Sequence, residues 1–465
     1  MMENKDDMDF VGSETAKAIE NFAFSEERID GDLIRAMAMV KLACARVNRK
    51  LGYLEPRIGD ALESACQEMI SGKAQELIKC DPYQGGAGTS LNMNMNEALA
   101  WLAERKFVSE DQAHADTLKV DPLGDVNLNQ STNDTFPSAV KVAILFKLKH
   151  LEVAIAVLQE ALQAKEREFA EIIKPGRTEL QDAVPMTLGM EFGAYAEAIS
   201  RDRWRIFKSR ERIKTLNLGG TAIGTGLGAP SDYIFGVTEE LKRISGLSIS
   251  RAENLVDQTQ NLDSLVEVSA MTKALAVNLL KIANDLKLLS SGPDTGLNEI
   301  DLPELQKGSS IMPGKVNPVM PEAVCQIALK AINDDNLIAL ASAHGQLELN
   351  AYLPLIAHTM LGSLQRLTNA CRLFADKCVS GITANRVNCR DGVLRSQALA
   401  TFLLPVLGYA KVEELVKCSA AEGISLREMV IRNGLMDQAQ FDSLMEPKRM
   451  YKLGYSPEDY QGGGK

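Results

Sequence analysis

Leu265-Val266-Glu267-Val268-Ser269-Ala270-Met271-Thr272-Lys273-Ala274-Leu275-Ala276-Val277-Asn278-Leu279-Leu280-Lys281-Ile282 sets Leu265, Val268, Met271, Leu275, Leu279 and Ile282 three or four residues apart. That spacing is one face of an α-helix. The stretch lies in Leu247–Ser291, about 45 residues with neither Gly nor Pro. Three more such runs follow the same rule: Val140–Lys174 (about 35 residues), Ala194–Leu218 (about 25) and Glu322–His344 (about 23). In the first of these, Val142, Leu145, Phe146, Leu148 and Leu151 form the apolar stripe. At about 1.5 Å of rise per residue, such helices reach about 35–60 Å, several times the usual length. A stripe that long cannot be buried by its own helix, so the runs predict an all-α bundle within one chain or between chains.

Composition agrees. Across 465 residues the chain is 45% hydrophobic but only 5% aromatic, which excludes general disorder. With 51 Lys+Arg against 62 Asp+Glu, the net charge is −11. Such a chain lacks the basic surface and stacking platforms that nucleic-acid binding requires. No run of about 18 apolar residues offers a membrane span, and Met1–Phe10 is acidic and polar, unlike a signal peptide. The eight cysteines form no CxxC pair, which predicts buried thiols in the reducing cytoplasm. Only four histidines occur (114, 150, 344 and 358), without HExxH, so no metal site is expected.

Between the long runs lie polar, Gly- and Pro-rich loops, where a rigid scaffold presents chemistry. The richest is Gly308-Ser309-Ser310-Ile311-Met312-Pro313-Gly314-Lys315-Val316-Asn317-Pro318. Its prolines forbid a helix. Two hydroxyls, a fixed positive charge and an amide suit it to wrap a small anion, with a serine at the reacting carbon. It is not a phosphate loop, because Val316 stands where Ser or Thr is needed. Nor is Gly224-Thr225-Gly226-Leu227-Gly228 a dinucleotide fingerprint, since no strand precedes it. Gln130-Ser131-Thr132-Asn133-Asp134 precedes a long helix and reads either as a cap or as an anion site. Gly85-Gly86-Ala87-Gly88-Thr89-Ser90 is followed by Asn92, Asn94 and Asn96, an odd alternation for a plain core. Gly176-Arg177-Thr178-Glu179-Leu180-Gln181-Asp182 reads alone as an exposed charged turn. After Ser380 the helical pattern shortens, with breaks at Gly392, Pro405, Gly408 and Gly423, and Tyr460–Lys465 reads as a frayed tail.

These segments, with Gly345-Gln346-Leu347-Glu348-Leu349-Asn350, occur in an order and at separations that resemble the aspartase/fumarase superfamily, its aspartase branch in particular. The resemblance runs from about Phe10 to about Leu444. It implies three helical domains, 1–130, 131–385 and 386–465, the middle one a long five-helix bundle. It also implies a homotetramer whose active sites are each shared by three chains, without cofactor or metal. The implied reaction is the reversible anti elimination of ammonia from an amino-dicarboxylate, L-aspartate, giving fumarate. By the same match Ser309 is the base, assisted by Lys315. Thr89, Ser131, Thr132 and Ser310 hold the β-carboxylate, Lys315 and Asn317 the α-carboxylate, and Asn133 and Thr178 lie near the amino group. Position 179 is Glu where many members carry His, and the resemblance pairs it with Glu322. Two carboxylates together would bind a cation such as the substrate ammonium. The alternatives are the hydration of fumarate, or the deamination of a modified aspartate; a non-catalytic helical scaffold is disfavoured because Ser309, Lys315 and Asn317 are all intact. His344 is expected to be structural. Asp121–Asn127 and Lys17 depart from the family pattern, and no accessory site is assigned to them.

Overall fold

The structure is a computed structural model that describes residues 10–110 and 119–456; His114 and the expected tail at Tyr460–Lys465 lie outside the described residues. From residue 132 onward five helices of 22 to 37 residues dominate: Thr132–Glu168, Leu188–Ser209, Asp263–Leu289, Val319–Ala343 and Leu353–Lys377; a further helix of 22 residues, Thr89–Glu110, precedes them. The described strands are short and form three two-stranded pairs. Two compact units emerge: residues 1–153, 202–277 and 327–368 in one, and 154–201, 278–326 and 369–465 in the other. The expected 130/131 and 385/386 boundaries fall beside the starts of the Thr132–Glu168 and Arg386–Arg395 helices.

The apolar stripes are where the periodicity puts them. Val142, Leu148, Leu151, Val268, Leu275 and Leu279 are fully buried, while Phe146 and Met271 are half-buried. The boundaries are governed by polar residues. The first long helix begins at Thr132, eight residues before the Pro-free run, and passes through Pro137. A proline there cannot donate to the carbonyl of Asn133. The side chain of Asn217 donates to that carbonyl instead, at 2.8 Å. The second helix starts at Leu188, six residues early, with the Thr187 hydroxyl accepting from the Met190 N–H at 3.1 Å. Its Gly189 lies so close to the preceding helix that a Cβ would meet the Glu166 carbonyl oxygen at 2.6 Å.

Leu247–Ser291 is not one helix. Ser250–Arg251 pairs in parallel with Thr215–Leu216, and Asn254 caps a short helix over Leu255–Gln260. The 27-residue helix begins only at Asp263. Asn254 accepts from Val256 and Asp257 N–H groups, 3.1 Å each, so a polar side chain breaks what hydrophobic spacing alone would continue. The Leu353–Lys377 helix contains Gly362 and so escapes a Gly-free criterion. The C-terminal helices bury a cluster that includes Leu403, Leu415, Met429, Val430 and Phe441.

Candidate active site

The first unit holds Thr89, Ser131, Thr132 and Asn133. Ser131 is the cap of the Thr132–Glu168 helix: its hydroxyl accepts from the Asn133 N–H at 3.2 Å. Asp134 returns the bond, accepting from the Ser131 N–H at 3.0 Å. Its other oxygen accepts from the Gly219 and Thr221 N–H groups, both at 3.1 Å. Asp134 is fully buried, and desolvation pushes its carboxyl up to about 6. The cap reading of this segment is therefore correct, but it does not use up the segment. Thr132 and Asn133 stay partly exposed, and Asn133 donates to the Ala222 carbonyl at 2.8 Å.

Thr89 opens the Thr89–Glu110 helix, exposed, its hydroxyl donating to Gly86 O at 2.7 Å. Gly88 allows the close approach below it, since a Cβ would meet the Phe136 ring at 2.5 Å. The alternating asparagines divide. Asn92 and Asn96, four apart on one face, both donate to Asn127 Oδ1 at 3.2 and 3.3 Å, and Asn92 also donates to Thr132 Oγ1 at 3.1 Å. Asn94 points elsewhere and holds the backbone of Leu77, Lys79 and Cys80.

Beneath this network lies a residue the motif reading missed. Lys41 is 1% exposed in the Gly31–Lys50 helix. Its ammonium donates to Asn127 Oδ1 at 3.0 Å and Gln130 Oε1 at 2.9 Å. Burial lowers its pKa to about 8. The available signal was a lysine inside Met37-Ala38-Met39-Val40-Lys41-Leu42-Ala43, where a surface charge has no place.

The second unit holds Thr178, Glu179, Ser309, Ser310, Lys315, Asn317 and Glu322. Ile173–Thr178 and Gln181–Thr187 form a hairpin in which Thr178 faces Gln181. The two-residue turn is Glu179-Leu180, with φ of 53° and 64°. Positive φ at both positions is the hairpin-turn geometry that Asn-Gly normally supplies. Two bulky side chains there carry backbone strain, and both are exposed. The hairpin is anchored by buried charge: Glu299, 2% exposed, pairs with Arg177 at 2.7 Å and Lys174 at 2.8 Å, and Lys174 also pairs with Glu191 at 2.7 Å.

The Gly308–Pro318 loop has a closed neck. Asn317 donates to the Gly308 carbonyl at 2.7 Å, and a Cβ on Gly308 would meet the Lys315 carbonyl oxygen at 1.8 Å. Within the loop, Ser309 Oγ accepts from the Ile311 and Met312 N–H groups at 3.2 and 3.1 Å. Two N–H donors on one hydroxyl oxygen favour negative charge on it. Ser310 and Lys315, in the same loop, are exposed. Glu322 is exposed in the first turn of Val319–Ala343. No bond joins Glu322 to Glu179 among the described residues.

Of the histidines, His344 donates from Nδ1 to the Leu340 carbonyl at 2.8 Å, and His358 pairs with Glu27. Among the described residues no group of three His, Cys, Asp or Glu side chains is placed to hold a metal ion.

A strapped loop that holds a serine oxygen with two N–H donors and carries an exposed lysine is an arrangement suited to acid–base chemistry on a small anion. A family model described as lyase matches residues 3–332, and one described as fumarase C C-terminus matches residues 399–452. The aspartate ammonia-lyase of Bacillus sp. is 42% identical over 445 residues, which are 96% of this chain and 94% of that protein. That of Escherichia coli K12 is 41% identical over 454 residues, 97% and 94% of the two chains. Among solved structures, a fumarate lyase:delta crystallin from Brucella melitensis superposes with a TM-score of 0.91 at 43% identity, covering 96% of each chain. A class II fumarase from Schistosoma mansoni gives 0.88 at 33% identity, covering 95% of this chain and 96% of that one. The chain belongs to this lyase family.

Proposed function

We propose that the chain catalyses the reversible elimination of ammonia from L-aspartate to give fumarate, the activity named in its curated relatives. The observation that carries the reading is the Ser309 hydroxyl with its two backbone N–H donors. As an alkoxide, Ser309 takes the Cβ proton. The electron pair moves into the adjacent carboxylate as an enediolate and then forms the double bond as the Cα–N bond breaks and ammonia leaves. The enediolate needs preorganised donors, and Thr89, Ser131, Thr132 and Ser310 are assigned to it. Lys315 and the second N–H of Asn317 take the α-carboxylate, with Asn133 and Thr178 beside the amino group. Thr89 exchanges its bond to Gly86 for the substrate. Glu179 and Glu322, both unpaired among the described residues, attract the ammonium, and Glu179 favours an amine over a hydroxyl.

We assign the expected domains, 1–130, 131–385 and 386–465, and the homotetramer with sites shared by three chains to this reading. Exposed Leu329, Leu337 and Leu340 on one face of the Val319–Ala343 helix support an apolar interface. Eight free cysteines, seven of them buried, support a cytoplasmic location. No helix of the described residues is long and apolar enough to cross a membrane.

Fumarate absorbance followed with L-aspartate and then L-malate tests the assignment. Fumarate is expected from aspartate. Formation from malate alone would replace this reading with fumarate hydration, which the likeness to the class II fumarase favours. Silence with both would point to a modified aspartate. Ser309→Ala is expected to lower kcat by about 10³-fold or more with KM little changed, since the base acts only in the transition state.

A further inference from the structure

A cavity in the second unit is lined by none of the residues assigned above. It is a cleft of about 390 Å³ whose lining includes Ile172, Arg386, Arg390, Val393 and Met445, together with three carboxylates. Its floor is apolar and buried: Ile172, Val393 and Met445 are 4%, 1% and 8% exposed. Arg386, Arg390 and Val393 share one face of the Arg386–Arg395 helix, and the opposite face is firmly held. There Asn388 donates to the Asn298 carbonyl at 3.0 Å, the Cys389 thiol donates to the Glu299 carbonyl at 3.4 Å, and Gly392 rests on Pro175. The helix cannot rotate its arginines away from the cleft.

The charge balance in the cleft is uneven. Asp442 pairs with Arg427 at 3.1 Å and Glu446 with Lys448 at 2.5 Å, so both are occupied. Neither Arg386 nor Arg390 has a hydrogen-bonding or ionic partner among the described residues, though the chain has 11 more acidic than basic side chains. Like charges one turn apart on a helix repel. Glu171 is the single unpaired carboxylate in the lining, which leaves the unpaired charge at two positive to one negative. Guanidinium forks match carboxylate and phosphate oxygens, and the volume lies within the range of small-molecule sites.

We propose that this cleft binds a small amphipathic organic anion, its acidic head between Arg386 and Arg390 and its apolar body on Ile172, Val393 and Met445. The cleft shares no residue with the eliminating site, and the proposal does not depend on the activity proposed above. The test is calorimetric titration of the full-length protein with phenyl phosphate and with phenylacetate, whose heads distinguish a phosphate from a carboxylate ligand. Because the eliminating site also takes anions, the double variant R386Q/R390Q carries the decision. Binding of at least one probe in the millimolar range or tighter is expected, weakened about tenfold or more in the variant. A melting temperature matching that of the unsubstituted protein shows that the variant folds, and any aspartate turnover should be unchanged. Equal affinity in the two proteins, or no binding of either probe at about 10 mM, would overturn the proposal.

Discussion

Asp134 and Lys41 are buried charges that fix the loop residues above them, and their ionisation makes separable predictions. Burial raises the Asp134 carboxyl to about 6 in the fold, against an ordinary 3.8. Between those values the folded state binds more protons than the unfolded one, so this group's contribution to stability declines as pH rises through that interval. Lys41 has the opposite sign. Its folded pKa of about 8 lies below the ordinary 10.5, so its penalty is full below pH 8 and fades as pH rises from there towards 10.5. Asp134→Asn presents an amide N–H₂ to a backbone N–H. It should cost about 1–3 kcal/mol and abolish the acid-side slope, as read by urea unfolding at a series of pH values. Retention of that slope in the variant would mean that another group produces it.

Among the elements, the hairpin turn and the serine loop expose a conflict between local preference and function. Glu179 holds φ at 53°, where Gly or Asn belongs. Glu179→Gly should raise stability by about 1 kcal/mol yet raise KM for aspartate, and Glu179→Gln should raise KM without the stability gain. If Glu179→Gln leaves aspartate kinetics unchanged, Glu179 has no role in amine recognition. Gly308→Ala tests the loop neck. A Cβ against the Lys315 carbonyl forces the loop open, so turnover should fall about 10²-fold. The melting temperature should barely move, because most of the loop is exposed. A large drop in melting temperature would make Gly308 a folding residue instead.

At the scale of the whole molecule, the apolar faces require explanation. Leu340 is 63% exposed and Leu329 50%, on the outward face of the Val319–Ala343 helix. If four chains cover these faces, Leu337→Glu with Leu340→Glu should dissociate the assembly. Sedimentation would then show smaller species, and activity should be lost with the shared sites. An unchanged sedimentation coefficient would place the interface elsewhere.

Long helices, loops and the serine segment were legible in the sequence, because hydrophobic spacing and the Gly/Pro distribution act locally along the chain. Family membership was legible for the same reason, since its motifs are contiguous. Helix ends were not. Pro137 is tolerated because Asn217, 80 residues onward, takes the Asn133 carbonyl, and Asn254 starts a short separate helix inside a run that hydrophobic spacing alone would make continuous. The roles of Lys41, Glu299 and the Arg386–Arg390 pair were equally hidden. Burial, pairing and freedom from pairing depend on which distant groups meet, and only the tertiary structure decides that.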